Sequence, residues 1–388
     1  MALRFLHTAD LQIGRAFGFA PPDRAALLAE ARFEALDRLA AKARAHGAPR
    51  VLIAGDTFDS ARPSERTIAQ VKERLARAAD LTWHILPGNH DPHRAGGVWE
   101  RFARDGLPPN VRLHLDPARV ALDTAPGEPA AWLLPAPLTA RRTADDPTAW
   151  MDHAPTPEGA LRLGLAHGSV AGFAAEDEAT PNRIAPDRAR RAGLAFLALG
   201  DWHGRKRIDD RTWYAGTPEP DRFRLDPEGD GTLCVGGQAL IVAIEGPGAP
   251  PRVTPVDTAR FVWRRCAATL SSADQVAALA DRLEGLPGAA DTLLRLELSG
   301  ALTLSDHERL RERIIRGLGP RLAWLDCDDG NLIVRPEDDE LGLIDLEGVV
   351  RRAADRLASI ARNPADPQSE TARAALTALW RLRAHARP

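Results

Sequence analysis

Five short polar fragments lie in one order along the chain, each just past a short apolar run: Asp10-Leu11-Gln12, Gly55-Asp56-Thr57-Phe58-Asp59, Gly88-Asn89-His90-Asp91, Ala166-His167-Gly168 and Gly200-Asp201-Trp202-His203. Runs this short and this apolar read as buried β-strands. Each fragment therefore presents oxygen or nitrogen ligands at the carboxyl end of a strand, the edge where open α/β sheets bind their ligands. Loops of this kind that converge form a cage for two metal ions, which suits attack on phosphate esters.

The intervening pattern fits that reading. Leu3 to Ala9 reads as the first strand, and Arg24 to His46 as a long amphipathic helix stopped by Gly47-Ala48-Pro49. Val51 to Ala54 is a second strand, Ser64 to Ala79 a helix with Ser64 as N-cap, and Trp83 to Leu86 a third strand. This alternation predicts parallel pairing in a layered α/β core. Further strands are expected at Arg119 to Leu122, Ala131 to Pro135, Leu161 to Ala166, Leu194 to Leu199, Trp213 to Pro218 and Ala239 to Ile244, with a loop over Thr143 to Gly159. Gly246 to Pro251 reads as a break. Beyond it, strands at Val262 to Leu270, Thr292 to Leu298 and Arg321 to Leu325, with helices at Ser272 to Leu283 and Ser305 to Gly317, make a compact α+β module. Two helices, Glu347 to Arg362 and Ser369 to Ala384, end the sequence. The expected division is 1–258, 259–340 and 341–388, which a chain of 388 residues accommodates.

Composition narrows the class. No apolar run approaches the ~20 residues of a membrane helix. Met1 to Leu6 leads directly into Asp10 and reads as a strand rather than a signal peptide. Cys234, Cys266 and Cys327 are far apart and odd in number, which reads as free thiols in a reducing, cytoplasmic setting. A formal net charge of −3 argues against a globally basic nucleic-acid coat but leaves room for a local basic groove. Arginine dominates the basic residues, and its planar fork suits phosphate.

Hydrolysing a phosphodiester near neutral pH requires neutralised phosphate charge, an activated water and a stabilised leaving oxygen. Two divalent ions ~3.5–4 Å apart help with all three. A carboxylate bridging both ions is the simplest spacer, and Asp56, at the tip of a fully apolar strand, is the best candidate. Gly55 lets the backbone approach closely. Asn89 can ligate through its carbonyl oxygen without adding charge, while His90 beside it can donate a proton to the leaving oxygen. His167 and His203 each follow an apolar strand and precede a glycine, unlike the remaining histidines, which read as structural or solvated.

These residues resemble the calcineurin-like metallophosphoesterase superfamily, with a closer likeness to DNA-repair exonucleases of the SbcD and YhaO type. His7 to Gly14 looks like their opening motif, Gly55 to Ser64 like the second, and Tyr214-Ala215-Gly216-Thr217-Pro218-Glu219 like their Tyr-Ser-Gly-Ser-Pro signature. The likeness spans roughly residues 3–260 and fades in the α+β module, which takes the place of that family's DNA-facing cap. It implies a four-layer sandwich of two central sheets flanked by helices, a pair of manganese ions and a catalytic His90. Carried over, metal one sees Asp10, Gln12, Asp56 and His203, and metal two sees Asp56, Asn89, His167 and Asp201. Gln12 and Asp201 stand where the family's motifs usually have histidine. Oxygen ligands then outnumber nitrogen, which favours manganese or magnesium over zinc.

The expectation is a metal-dependent DNA phosphodiesterase, an exonuclease with endonuclease activity as an option, in DNA repair or end processing, using a metal-activated water. A small-molecule phosphodiesterase and a catalytically weak scaffold subunit are the alternatives. Arg205 and Lys206 are candidates for holding phosphate. The C-terminal helices carry Val349, Val350, Ala353, Leu357 and Ile360 at helical spacing, a face for packing on their own domain or for docking the SbcC-like ATPase of the SMC type that the resemblance implies as partner. A homodimer is compatible with it. Trp99 and Phe102 read as core rather than base-stacking residues, Arg188, Arg190 and Arg191 as an exposed helix face, and Glu176-Asp177-Glu178 as a solvated loop.

Overall fold

The computed structural model describes residues 1–172, 181–225, 236–334, 348–363 and 365–386, so Cys234 and Glu176-Asp177-Glu178 lie outside the described residues. The chain forms two compact units, Met1–Arg222 with Pro227–Val262, and Phe223–Asp226 with Trp263–Pro388. In chain order the strands are β1 (Leu3–Thr8), β2 (Arg50–Ile53), β3 (Thr82–Ile85), β4 (Val111–Leu113), β5 (Val120–Ala121), β6 (Ala131–Ala136), β7 (Leu161–His167), β8 (Ser169–Val170) and β9 (Arg183–Ile184). They continue with β10 (Phe196–Gly200), β11 (Lys206–Arg207), β12 (Thr212–Tyr214), β13 (Arg224–Leu225), β14 (Gln238–Ile244), β15 (Arg252–Asp257), β16 (Val262–Leu270), β17 (Thr292–Leu302) and β18 (Trp324–Val334). The helices used below are α1 (Pro22–Ala45), α2 (Glu65–Arg77), α3 (Val98–Ala103), α4 (Arg188–Arg191), α5 (Ala273–Glu284), α6 (Leu304–Leu310), α7 (Gly348–Ala361) and α8 (Ser369–Ala386).

The first unit is built on two six-stranded mixed sheets, ordered β15-β14-β1-β2-β3-β4 and β11-β12-β10-β7-β6-β5. Strands β1 to β4 are parallel, as are β6, β7, β10 and β12, while β14 and β15 add antiparallel. Side chains alternate between two cores, as the period of two in a strand demands. Leu52 and Ala54 join Leu163, Leu165, Phe196 and Ala198 in one apolar layer, whereas Val51 and Ile53 pack with Leu36, Leu39, Val71 and Leu75 of α1 and α2. On the second sheet, Leu197 and Leu199 pack with Met151 and Ala189. Two sheets flanked by helices account for the near-continuous apolar strands: both faces are covered.

Local signals explain the boundaries. Pro22 opens α1, and Gly47 follows it with φ 61°, a left-handed conformation glycine adopts without strain. The Ser64 hydroxyl accepts from the Thr67 N–H and caps α2. Trp99 and Phe102 are fully buried beside Phe58, so they serve the core. Arg188 departs from expectation. It is buried and paired to Asp146 at 2.8 Å and to Asp152, while Arg190 and Arg191 are exposed. Gly246 to Pro251 is a connection between antiparallel strands rather than a break, since β15 follows it directly.

In the second unit β16, β17 and β18 form a sheet with β13, and β17 and β18 run parallel. Its core joins Leu279 and Leu283 of α5 to Leu296, Leu310 and Leu332. The helix expected over Ser305 to Gly317 is α6 followed by wider π-type turns from Arg311 to Leu318, and the expected strand at Arg321 begins only at Trp324. Helices α7 and α8 share a small core of Ala354, Ala358 and Leu376. Among the described residues, no helix is long and apolar enough to cross a membrane.

Candidate metal centre

The carboxyl ends of β1, β2, β3, β7 and β10 carry the five polar fragments, and the backbone there is strained. Five described non-glycine residues have positive φ, and four of them are Asp10 (55°), Gln12 (45°), Asp56 (52°) and Asp201 (106°). Such conformations cost about 1–3 kcal/mol each and persist where the surroundings over-determine them. Here the surroundings are one another. The Asp10 N–H donates to Gly55 O at 3.1 Å, and the Gln12 N–H to Asp56 O at 2.9 Å. Three glycines allow the approach. A Cβ on Gly55 would lie 2.3 Å from the His167 ring, one on Gly88 2.2 Å from the Asp56 carboxylate, and one on Gly200 2.0 Å from Ala54 O.

Asp10, Asp56 and His167 each present a ligand atom, all within 4.8 Å of one another and all buried. His167 donates Nδ1–H to Ala54 O at 2.8 Å, which directs the Nε2 lone pair inward, 3.6 Å from Asp56 and 3.8 Å from Asp201. Both His167 Nε2 and Asn89 Oδ1 are buried without a hydrogen-bond partner. Buried polar atoms are normally satisfied, so two orphaned acceptors beside converging carboxylates fit a cation. The electrostatics agree. Burial opposes the His167 cation, but Asp56, Asp10 and Asp201 outweigh it and lift its pKa to about 9. Burial pushes the Asp10 acid up to about 6 despite the pull of His203 and His167. A divalent ion on these ligands would relieve both strains.

Asn89 and Asp201 flank the cluster. The Asn89 amide donates to Asp201 Oδ1 at 3.1 Å, Ser169 Oγ donates to Asp201 Oδ2 at 3.2 Å, and the Asp201 N–H shares Asp10's carboxylate at 3.2 Å. His90 sits at the rim. Its backbone N–H donates to Asp56 Oδ1 at 2.8 Å, its Nδ1 bonds Asp59 O at 2.8 Å, and its Nε2 lies 4.0 Å from Asp56 Oδ2 on a side chain 31% exposed. Only Nε2 is left to meet a substrate.

Gln12 and His203 are engaged otherwise. Arg15 Nη1 donates to Gln12 Oε1 at 2.6 Å and to Asp221 Oδ2 at 2.9 Å. His203 Nδ1 meets the same Asp221 oxygen at 2.7 Å, and its Nε2 meets the Gln12 amide nitrogen at 3.1 Å. The four side chains close a ring. With Nδ1–H given to Asp221, Nε2 accepts from Gln12, so the ring holds neutral His203. Burial disfavours a charged His203, yet Asp221 and Asp10 tip its pKa upward overall; against that, an imidazolium would set N–H against N–H at Gln12. Burial also works against the Asp221 carboxylate, but His203 and Arg222 hold its pKa well below the usual range.

Two structural carboxylates were not singled out by sequence. Asp221 is one. Asp91 is the other: it accepts from the Gly88 N–H at 2.7 Å and the Phe58 N–H at 3.0 Å, tying two ligand loops together. Its place in the Gly88 to Asp91 fragment was the available signal. The segment after β12 braces the His203 loop. Thr217 N–H donates to His203 O at 3.0 Å, a Cβ on Gly216 would lie 2.7 Å from that oxygen, and Tyr214 donates its hydroxyl to Gly168 O at 2.8 Å. Of the basic pair, Lys206 lies over the Trp202 ring at 4.6 Å, and Trp202 is itself 43% exposed. Arg205 is half-buried.

Solved structures to which the chain is similar include TT1561 of Thermus thermophilus, at 12% identity over 66% of this chain and 100% of that one, with TM-score 0.38. Purple acid phosphatase PPD1 from yellow lupin seeds matches at 11% identity over 66% of this chain and 52% of its own, with TM-score 0.39. GAP50, the anchor in the inner membrane complex of Plasmodium, matches at 9% identity over 66% and 85%, with TM-score 0.41. No curated protein matches by sequence. Residues 3–169, which carry Asp10, Asp56, Asn89 and His167, match the family described as calcineurin-like phosphoesterase.

Proposed function

We propose that the chain is a metal-dependent DNA phosphodiesterase, an exonuclease that processes DNA ends in the cytoplasm. The observation that carries the hydrolase reading is the buried Asp10–Asp56–His167 cluster with His90 at its rim. A divalent ion held there, manganese by the oxygen-rich ligand set, would supply Lewis-acid charge and an acidified water. The chain's own residues do the rest. Asp56 and Asp10 provide the negative charge that retains the cation. His167, fixed by Ala54 O, offers a preset lone pair. His90, anchored through Nδ1 on Asp59 O, moves a proton at Nε2 to the leaving oxygen.

The DNA reading draws on the motif likeness and on the exposed Trp202 with Lys206 over it beside Asp201. An aromatic face with a cation suits a stacked base and its phosphate. The test is manganese-dependent digestion of labelled single- and double-stranded DNA by the full chain, beside His90→Ala. Digestion lost in the variant supports the reading. Hydrolysis of bis-p-nitrophenyl phosphate without any on DNA moves the assignment to a small-molecule phosphodiesterase. No hydrolysis of either leaves the scaffold reading. The C-terminal helices are proposed to dock on an SMC-type ATPase, and ending the chain at residue 340 should weaken co-purification with a co-expressed ATPase while sparing hydrolysis of the small ester.

A further inference from the structure

The two halves of the expected ligand set are not equivalent. On one side, His167 Nε2 and Asn89 Oδ1 are buried with no hydrogen-bond partner, and Asp10 and Asp56 lie within ligand range of His167. On the other, every polar side-chain atom of Gln12 and both ring nitrogens of His203 already hold hydrogen bonds. Gln12 is 1% exposed and Asp221 6%, so the inner half of the ring is buried, while the Arg15 side chain keeps 30% of its surface in solvent. We propose that this centre retains one divalent cation, on Asp10, Asp56 and His167, and that the Arg15–Gln12–His203–Asp221 ring takes the place of a second ion. The proposal rests on the metal-hydrolase reading above and specifies how that metal is held.

The chemistry of the ring supports exclusion. An ion taking the second lone pair of Gln12 Oε1 would sit against the Arg15 N–H that donates to the same oxygen at 2.6 Å. An ion using His203 Nε2 must displace the Gln12 amide. Both steps place a dication beside the Arg15 guanidinium, which Asp221 anchors at 2.9 Å. Like charges repel most where water is scarce. Arg15 also supplies fixed positive charge at this edge of the site, a task the missing ion would otherwise perform. Histidine in place of Gln12 has no carbonyl oxygen to receive Arg15, so the ring depends on the departure that Gln12 represents. Asp10, assigned by the motif pattern to the other ion, instead lies in ligand range of Asp56 and His167.

The full chain, stripped with chelator and equilibrated with manganese, tests this by metal analysis and low-temperature electron paramagnetic resonance. One ion per chain with an uncoupled manganese spectrum is expected. His203→Ala should leave that ion bound, and His167→Ala should lose it. The folded double variant Gln12→His with Arg15→Ala should rise from one ion to two, with a coupled spectrum. Two ions in the unaltered chain, or loss of the ion in His203→Ala, overturns the proposal while leaving the hydrolase reading intact. A folded double variant that stays at one ion overturns the ring as the excluding device. No ion at millimolar manganese overturns the metal reading itself, and this proposal with it.

Discussion

At the scale of single residues, the site is a set of strained carboxylates locked by neighbours' backbone. Asp56 is the most constrained of them. Its carbonyl accepts from Gln12 N–H, its Oδ1 from His90 N–H, and its Oδ2 faces His167. Asp56→Ala should therefore bind no metal and fall to the uncatalysed rate, with both metal analysis and turnover as readouts; a variant that retains its ion would show that Asp56 is not the anchoring ligand. His90 is different, because its ring touches no candidate ligand within hydrogen-bond range. His90→Ala should lose about 100- to 10,000-fold in turnover, the usual worth of a positioned proton donor, at unchanged metal content. Retained activity or lost metal would remove it from that role. Sequence made the candidates legible because each ends an apolar run. It could not reveal the Gln12–His203 bond or the Arg15–Asp221 pair, whose members lie 191 and 206 positions apart. Asp221 follows Pro220 in a polar loop and carries no pattern of its own.

At the scale of elements, the strands that deliver ligands were easy to read and the peripheral ones were not. Strands β2, β7 and β10 are buried on both faces and appear as plain apolar runs. Strand β15 has one buried residue, Val256, and includes Pro255, which an edge strand tolerates because one side of its backbone needs no partner. Val253, Thr254 and Val256 favour a strand, but Pro255 and the mostly exposed pattern conceal it. The turns of Arg311 to Leu318 likewise carry helix-forming residues, so nothing local distinguishes them from a continued helix. Close packing of the ligand strands makes a sharper claim. A Cβ on Gly200 would press on Ala54 O at 2.0 Å and on Ala9 Cβ at 2.8 Å, and backbone cannot yield as a flexible side chain does. Gly200→Ala should reduce unfolding free energy by about 3 kcal/mol, the upper end of ordinary overpacking. Gly18→Ala, with open space around its Cβ, should change it by less than about 0.5 kcal/mol. Denaturant titration of both variants checks the pair, and equal effects would mean the ligand strands are looser than this packing implies.

At the scale of the whole molecule, the first unit buries histidines that have nothing to do with its chemistry, and these contribute to its response to acid. His84 and His114 are 4% and 6% exposed, stacked with ring centroids 5.3 Å apart and joined Nδ1 to Nε2 at 3.0 Å. That bond holds one proton between the facing nitrogens, so the two rings cannot both be cations while it lasts. Burial first, and Arg112 second, holds the His114 pKa down to about 4; burial, His114, Arg112 and Arg50 hold His84 well below its ordinary value. In the unfolded chain both titrate near 6.5. Between about 4 and 6.5 the unfolded state therefore binds more protons than the folded one, and stability falls as pH is lowered through that window. The buried acids shift the other way there, so the pair's own effect must be read as a difference. Replacing it by His84→Leu with His114→Leu removes both partners of a buried bond at once, which is close to neutral when shape is kept. At pH 7 the variant should match the parent within about 1 kcal/mol. At pH 4.5, two units below the unfolded pKa and half a unit above the folded one, the parent should have lost about 2.4 kcal/mol through His114 alone, with His84 adding to it. Between the two pH values the stability difference should then move in the variant's favour by at least about that margin. Urea unfolding of both proteins at the two pH values measures it, and a stability difference that does not change with pH would mean the pair is not held neutral in the fold.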